Sequence, residues 1–171
     1  TPDGAVQSAG GRFNPTLTTL RHHTEIPDTV SETQFISGAL MLIDGEFLRS
    51  QDGLDESYFF GMEDQTLCWT ARQQGLQILI DPRSEVVHDK GGTAEQHSPF
   101  RYYHDTYNRV LFARRHLGSI RQLAFALFFI LSRIYRWSEL MLAGSTESIS
   151  ASLLAFKDIA SGHPARPPEE F

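Results

Sequence analysis

Apolar residues recur at helical spacing in some stretches of this chain and run together in others, with polar, proline-bearing or glycine-bearing segments between them. Ala5-Val6-Gln7-Ser8-Ala9 reads as a short strand entering Gly10-Gly11. Residues 14–34 are polar, contain Pro15 and Pro27 and show no period, which predicts a long loop, with His22-His23 as loop residues. Phe35 to Ile43 is an almost unbroken apolar run and predicts a buried strand; Gly38 within it would let a ligand or another backbone approach closely. Asp44 is placed to cap a short helix through Ser50, and Gly53 ends that unit.

The next helix opens at Glu63-Asp64, with Asp64 expected as its N-cap, Leu67, Cys68 and Ala71 as its inward stripe and Gly75 as its stop. Strands are predicted at Gln77 to Ile80 and Glu85 to His88. Ser98-Pro99 is a cap followed by a proline at the first helical position. The helix it opens turns Tyr103, Tyr107, Val110, Leu111 and Leu117 to one face and stops at Gly118. Ser119 to Ala143 is a long, strongly apolar helix, and a further helix is predicted near Ile149 to Ala160. The proline-rich tail from Gly162 to Phe171 is expected to be disordered.

The longest charge-free stretch of the apolar helix, Gln122 to Ser132, is 11 residues. A bilayer span needs about 20, so this is not a simple transmembrane helix. Arg121, Arg133, Arg136, Tyr135 and Trp137 flank the stretch, which suits a helix lying in a membrane interface or one packed on the domain or on a second copy.

A chain of 171 residues with 40% hydrophobic and 21% charged side chains is one ordinary globular domain's worth of sequence. The net charge of −6 argues against a nucleic-acid binder. Residues 1–100 hold 15 acids and 6 bases, whereas Arg101, Arg109, Arg114, Arg115, Arg121, Arg133 and Arg136 crowd the segment that follows. That basic stretch suits a diphosphate or an anionic membrane surface, or else the solvated face of two helices. The single cysteine, Cys68, fits a reduced cytoplasmic compartment and reads as a buried, inert thiol. Thr1-Pro2-Asp3-Gly4 does not read as a secretory leader.

The chemistry concentrates at Glu63-Asp64 and at His88. A carboxylate with a raised pKa can take a proton from a hydroxyl, and a neutral imidazole can ligate a divalent cation. Alone, each has a plain structural explanation in capping or packing. The ordered set is more specific: Ser37-Gly38-Ala39-Leu40-Met41-Leu42-Ile43, then Gly53 to Phe60, then Glu63 to Trp69, then Val86-Val87-His88, then Ser98 to Tyr103 and Asn108 to His116. This order resembles family 2 glycosyltransferases, most closely their bacterial rhamnosyltransferase-like branch, and Leu153 to Ile159 resembles that branch's C-terminal helix.

The resemblance implies an α/β fold: the C-terminal, acceptor-side half of a GT-A catalytic domain, a short mixed sheet with flanking helices. That half would occupy residues 1–118, a helical membrane-interface or oligomerisation segment residues 119–160, and a disordered tail 161–171. The family's Asp-x-Asp metal motif, opening βαβ repeats and glycine-rich phosphate loop have no counterpart here, so a separate N-terminal nucleotide-binding half is expected as partner. By resemblance, Asp64 is the general base with Glu63 beside it, and His88 is a ligand of Mn²⁺ or Mg²⁺. Gly38, Tyr103, Asn108 and Arg109 would meet the nucleotide-sugar donor. The acceptor would be a glycan or lipid-linked glycan in bacterial surface polysaccharide synthesis, the donor possessing a sugar such as rhamnose, and the location the cytoplasm, peripheral to the inner face of the cell membrane. Thr66 stands where the family commonly repeats an acid, and Tyr107 where it commonly has arginine. The rival reading is a non-catalytic binding or assembly module that kept this half-fold and dimerises through residues 119–143.

Overall fold

A computed structural model of the chain describes residues 4–88 and 98–171, which divide between two compact units. The first comprises residues 4–14, 19–56 and 62–88. Its hairpin joins β1 (Gly11–Asn14) to β2 (Thr19–His22) antiparallel, with Gly11 opposite His22 and Phe13 opposite Leu20. A second antiparallel pair sets β3 (Ser31–Thr33) against β4 (Ile78–Ile80), Thr33 facing Ile78. Segment 14–34, expected as a loop, thus contributes strand residues to both pairs. Its strands are only three or four residues long, too short for a period to register.

The glycine pair before the hairpin is a steric requirement. Gly10 has φ +88°, and a Cβ there would lie 2.5 Å from Thr33 Oγ1. That hydroxyl accepts from Gly11 N at 3.0 Å and donates to Gly11 O at 3.1 Å, stitching the turn to β3.

Three predicted strands are not formed. Residues 5–9 and 85–88 have no strand pairing, and of Phe35–Ile43 only Phe35 makes a bridge, to Gly11. Beyond it the chain turns at Gly38-Ala39, and Leu42 is fully exposed. Beyond Phe35 the run joins neither strand pair among the described residues. Its apolar ends still pack: Phe35, Cys68 and Ile78 form one core with Leu20, Ile36 and Met41, and Phe47, Leu67 and Ala71 form another with Met41, Ile43 and Leu48.

Helix α1 (Gly45–Ser50) is capped as expected, Asp44 Oδ1 accepting from Glu46 N at 3.0 Å and Phe47 N at 2.8 Å. Helix α2 (Glu63–Gln73) buries Leu67, Cys68 and Ala71, and Gly75 follows it at φ +79°.

The second unit comprises residues 15–18, 57–61 and 98–171. Helix α3 (Pro99–His116) begins at the Ser98 cap. It is followed by α4 (Ser119–Leu142) and α5 (Thr146–Ser161). Tyr103 and Tyr107 of α3 pack on Ala151, Ala155 and Ile159 of α5, whose small residues let the two helices approach. On the adjoining face Thr106 Oγ1 and Ser152 Oγ share a buried hydrogen bond of 2.8 Å.

Residues 162–171, expected to be disordered, are fastened instead. Arg166 forks onto the buried Asp158 carboxylate, and Phe171 packs against Tyr103 and Phe100 at centroid distances of 5.0 and 5.8 Å. Composition misread this tail because ion pairs of Arg166, hydrogen bonds from Tyr107 and His104 to its carbonyls and the Phe171 ring hold it, and none of these shows as a period. In sum the architecture is α/β, with two antiparallel strand pairs in place of a single mixed sheet. No helix among the described residues is long and apolar enough to cross a membrane.

Candidate functional site

Asp64 occupies the second position of α2, not its cap. The cap is Met62, which adopts a left-handed φ of +76° and offers no side-chain hydrogen bond. Met62 can hold that strained conformation because its side chain is buried. The shift by two residues frees the Asp64 carboxylate from capping and turns it toward the loop after Phe35. There Oδ2 accepts from Gly38 N at 3.0 Å, while Oδ1 accepts from Gln65 N at 2.8 Å. A Cβ on Gly38 would stand 3.6 Å from the Asp64 Cβ, an ordinary contact, so Gly38 contributes its amide here rather than empty space.

Burial lifts the pKa of Asp64 above the ordinary carboxylate value. The amides of Gly38, Gln65 and Asp64 itself, and the charge of His22, pull the other way without cancelling it. The raised pKa expected from the sequence is therefore present, with desolvation rather than a second carboxylate as its chief cause. Glu63, the preceding helical residue, is half-buried and leaves the helix about 100° round from Asp64.

Sequence reading took His22, beside His23, as a loop residue rather than a metal ligand. It ends β2, is half-buried, and sets its ring edge-on to Phe35 at 5.6 Å. Ser8 donates its hydroxyl proton to Gly10 O at 3.1 Å, so its lone pair takes the Nδ1 proton of His22 at 2.9 Å. The available signal was the alternation in Thr19-Leu20-Arg21-His22, which turns Leu20 and His22 to the same face.

His88 lies in the same unit. Its carbonyl accepts from Gln7 Nε2 at 3.0 Å, and its side chain is exposed. Among the described residues no three histidine, cysteine, aspartate or glutamate side chains gather into a group that could hold a metal ion. One exposed imidazole does not hold Mn²⁺ or Mg²⁺ without further ligands, so the described residues alone do not fit the ion. Cys68, one turn beyond Asp64, is buried with its thiol pKa pushed up by desolvation, and donates to Ile36 O at 3.8 Å. It is inert, as expected.

The remaining predicted residues belong to the second unit, where each makes hydrogen bonds within that unit. Tyr103 is fully buried and donates to Asp158 Oδ2 at 2.9 Å; burial raises its pKa further above the ordinary phenol value. Asn108, also fully buried, donates from Nδ2 to Phe60 O at 2.8 Å and Gly61 O at 2.7 Å, gripping the loop that precedes α2 in sequence. Arg109 donates to Thr18 Oγ1 at 2.8 Å and Leu17 O at 3.1 Å, and lies 4.8 Å over the Phe129 ring. Arg133 covers the same ring at 4.8 Å and pairs with Asp105 at 2.8 Å. Arg109 and Arg133 are thus turned inward, whereas Arg114, Arg115, Arg121 and Arg136 are exposed, in keeping with the solvated-face alternative. Arg114 donates to Ile159 O at 2.7 Å, and Arg136 pairs with Glu139 at 3.1 Å.

Chemically, the first unit offers one carboxylate of raised pKa, fixed by two backbone amides and neighboured by an imidazole. Such a group can accept a proton from a bound hydroxyl. No family model, curated protein or solved structure matches the chain.

Proposed function

We propose that this chain is the acceptor-side half of an inverting family 2 glycosyltransferase, with Asp64 as the general base. The observation that carries the reading is the setting of Asp64. It is a desolvated carboxylate, held at a helix start by the Gly38 amide, within a run of segments that resembles this family in order. Asp64 would take the proton from the acceptor hydroxyl as that oxygen attacks the anomeric carbon. The bond from that carbon to the donor's diphosphate breaks, the nucleotide diphosphate leaves with the electron pair, and the configuration inverts.

Gly38 aims the base in this scheme and therefore acts as a positioning residue rather than a donor contact. His88 would be one ligand of a Mn²⁺ or Mg²⁺ ion whose other ligands come from the nucleotide-binding half, and no step here is routed through that ion. A deoxyhexose such as rhamnose is the proposed sugar, and a glycan or lipid-linked glycan the proposed acceptor.

The test is sugar transfer by the whole protein from a nucleotide diphosphate rhamnose to such an acceptor. Asp64→Asn should lower turnover by about 10²–10⁴-fold with little change in donor KM. Near-normal turnover would remove Asp64 as the base. A non-catalytic assembly module is the second reading, favoured by the internal engagement of Tyr103 and Arg109. It requires that the wild-type protein bind glycan without transferring sugar.

A further inference from the structure

Helix α4 turns only part of its circumference into the second unit. Phe125, Phe129, Arg133 and Leu140 are buried, with Phe125 and Phe129 stacked at 4.9 Å. The opposite side carries Ile120, Leu123, Leu127, Ile130, Leu131, Ile134, Tyr135, Met141 and Leu142, each at least half exposed, with Ile120 at 87% and Leu142 at 91%.

Three features point to what covers this face. The first is its period. Ile120, Leu127, Ile134 and Met141 recur every seven residues, and Leu123 and Ile130 recur with the same period between them. A seven-residue apolar repeat matches the seam between two α-helices, whereas a helix lying on a lipid surface is defined by a wide apolar arc opposite a lysine- and arginine-rich face. The second is size. The stripe is ~33 Å long, and its side chains expose on the order of 1,000 Å² per copy, enough for the roughly 800 Å² per partner of a standard interface. A monomer's largest apolar patch is usually about 300–600 Å². The third is charge. The exposed side carries Arg121 near the start of the helix, and Glu139 lies near its end. Parallel pairing would set Arg121 against Arg121, while antiparallel pairing sends the two arginines to opposite ends and opposes the helix dipoles favourably, Glu139 keeping its pair with Arg136.

We propose that α4 is the interface of a homodimer, in which two copies pair antiparallel about a two-fold axis near Leu131. The pairing is isologous, so Leu127 of each copy meets Ile134 of the other. This proposal is independent of the catalytic reading above.

Sedimentation equilibrium of the intact protein over a wide concentration range tests it. Wild type should run at twice the chain mass. Leu127→Glu, an exposed position whose change leaves the monomer's helical circular dichroism intact, should weaken association more than about a hundredfold. Adding Ile134→Lys to Leu127→Glu should restore the dimer, because antiparallel pairing brings the new opposite charges together. A monomeric wild type overturns the proposal, whether or not it co-sediments with phosphatidylcholine–phosphatidylglycerol vesicles. Failure of the double variant to re-associate overturns the antiparallel arrangement.

Discussion

A carboxylate two residues inside a helix is ordinarily a dipole ornament; what sets Asp64 apart is its partial burial against Gly38. Its pKa is raised by burial, so the base form is lost as pH falls at a higher pH than for a solvated aspartate. Turnover should therefore show an acidic limb there, absent in Asp64→Asn, if the proposed role holds. His22→Phe keeps a ring against Phe35 but deletes the positive charge that favours ionised Asp64, so that limb should move to higher pH. His104 provides a second titration, free of any functional reading. It is fully buried among Phe59, Phe60, Phe100 and Tyr103, and its Nε2–H donates to Arg166 O at 3.0 Å. Desolvation depresses its pKa from 6.5 to about 4. Between those values the unfolded chain binds the proton and the folded chain does not, so stability is lost as pH falls through that window. In urea titrations, His104→Gln, which keeps a donor for Arg166 O but cannot titrate, should flatten that slope.

Helix α2 was legible from its inward stripe and its glycine stop, yet its first turn was not. The sequence offers Asp64 as an excellent cap, but the cap is Met62, with a left-handed φ of +76°; in the second unit Asn108 binds the carbonyls of Phe60 and Gly61. A contact across 47 positions in sequence leaves no local trace. Asn108→Ala deletes both bonds and strands two carbonyls; chemical denaturation should report a loss of about 1–3 kcal/mol. The Phe35–Ile43 run is the converse case. Its composition says strand, but a strand exists only where its amides and carbonyls pair with a neighbouring strand, and beyond the Phe35 bridge to Gly11 these do not. Its amides go instead to side chains, Gly38 N to Asp64 and Ala39 N to Ser37 Oγ, and this diversion creates the carboxylate's setting.

For the molecule as a whole, the distribution of arginine changes meaning on folding. The cluster after residue 100 invited an anionic partner, yet Arg109 and Arg133 both lie over Phe129 and share Asp105. Arg166 likewise closes on Asp158 beside the Tyr103 hydroxyl, converting a proline-rich tail into packed structure. What remains outward is apolar, along α4. If that face is a dimer seam, unfolding is coupled to dissociation, and the thermal midpoint should climb with protein concentration. Leu127→Glu should abolish that dependence in calorimetry.

Side-chain period and local punctuation were sufficient for helices α1 to α5, for the buried Cys68 and for the acidic pair at the start of α2, because each rests on neighbours within a turn or two; the α/β class came from the resemblance. Folding alone settled that the strands pair as two antiparallel couples, that the tail is pinned, that His22 stands in the field of Asp64, and that Tyr103, Asn108 and Arg109 serve the interior. Those outcomes depend on which distant groups compete for the same amide, carboxylate or ring, and that competition is decided by packing in three dimensions.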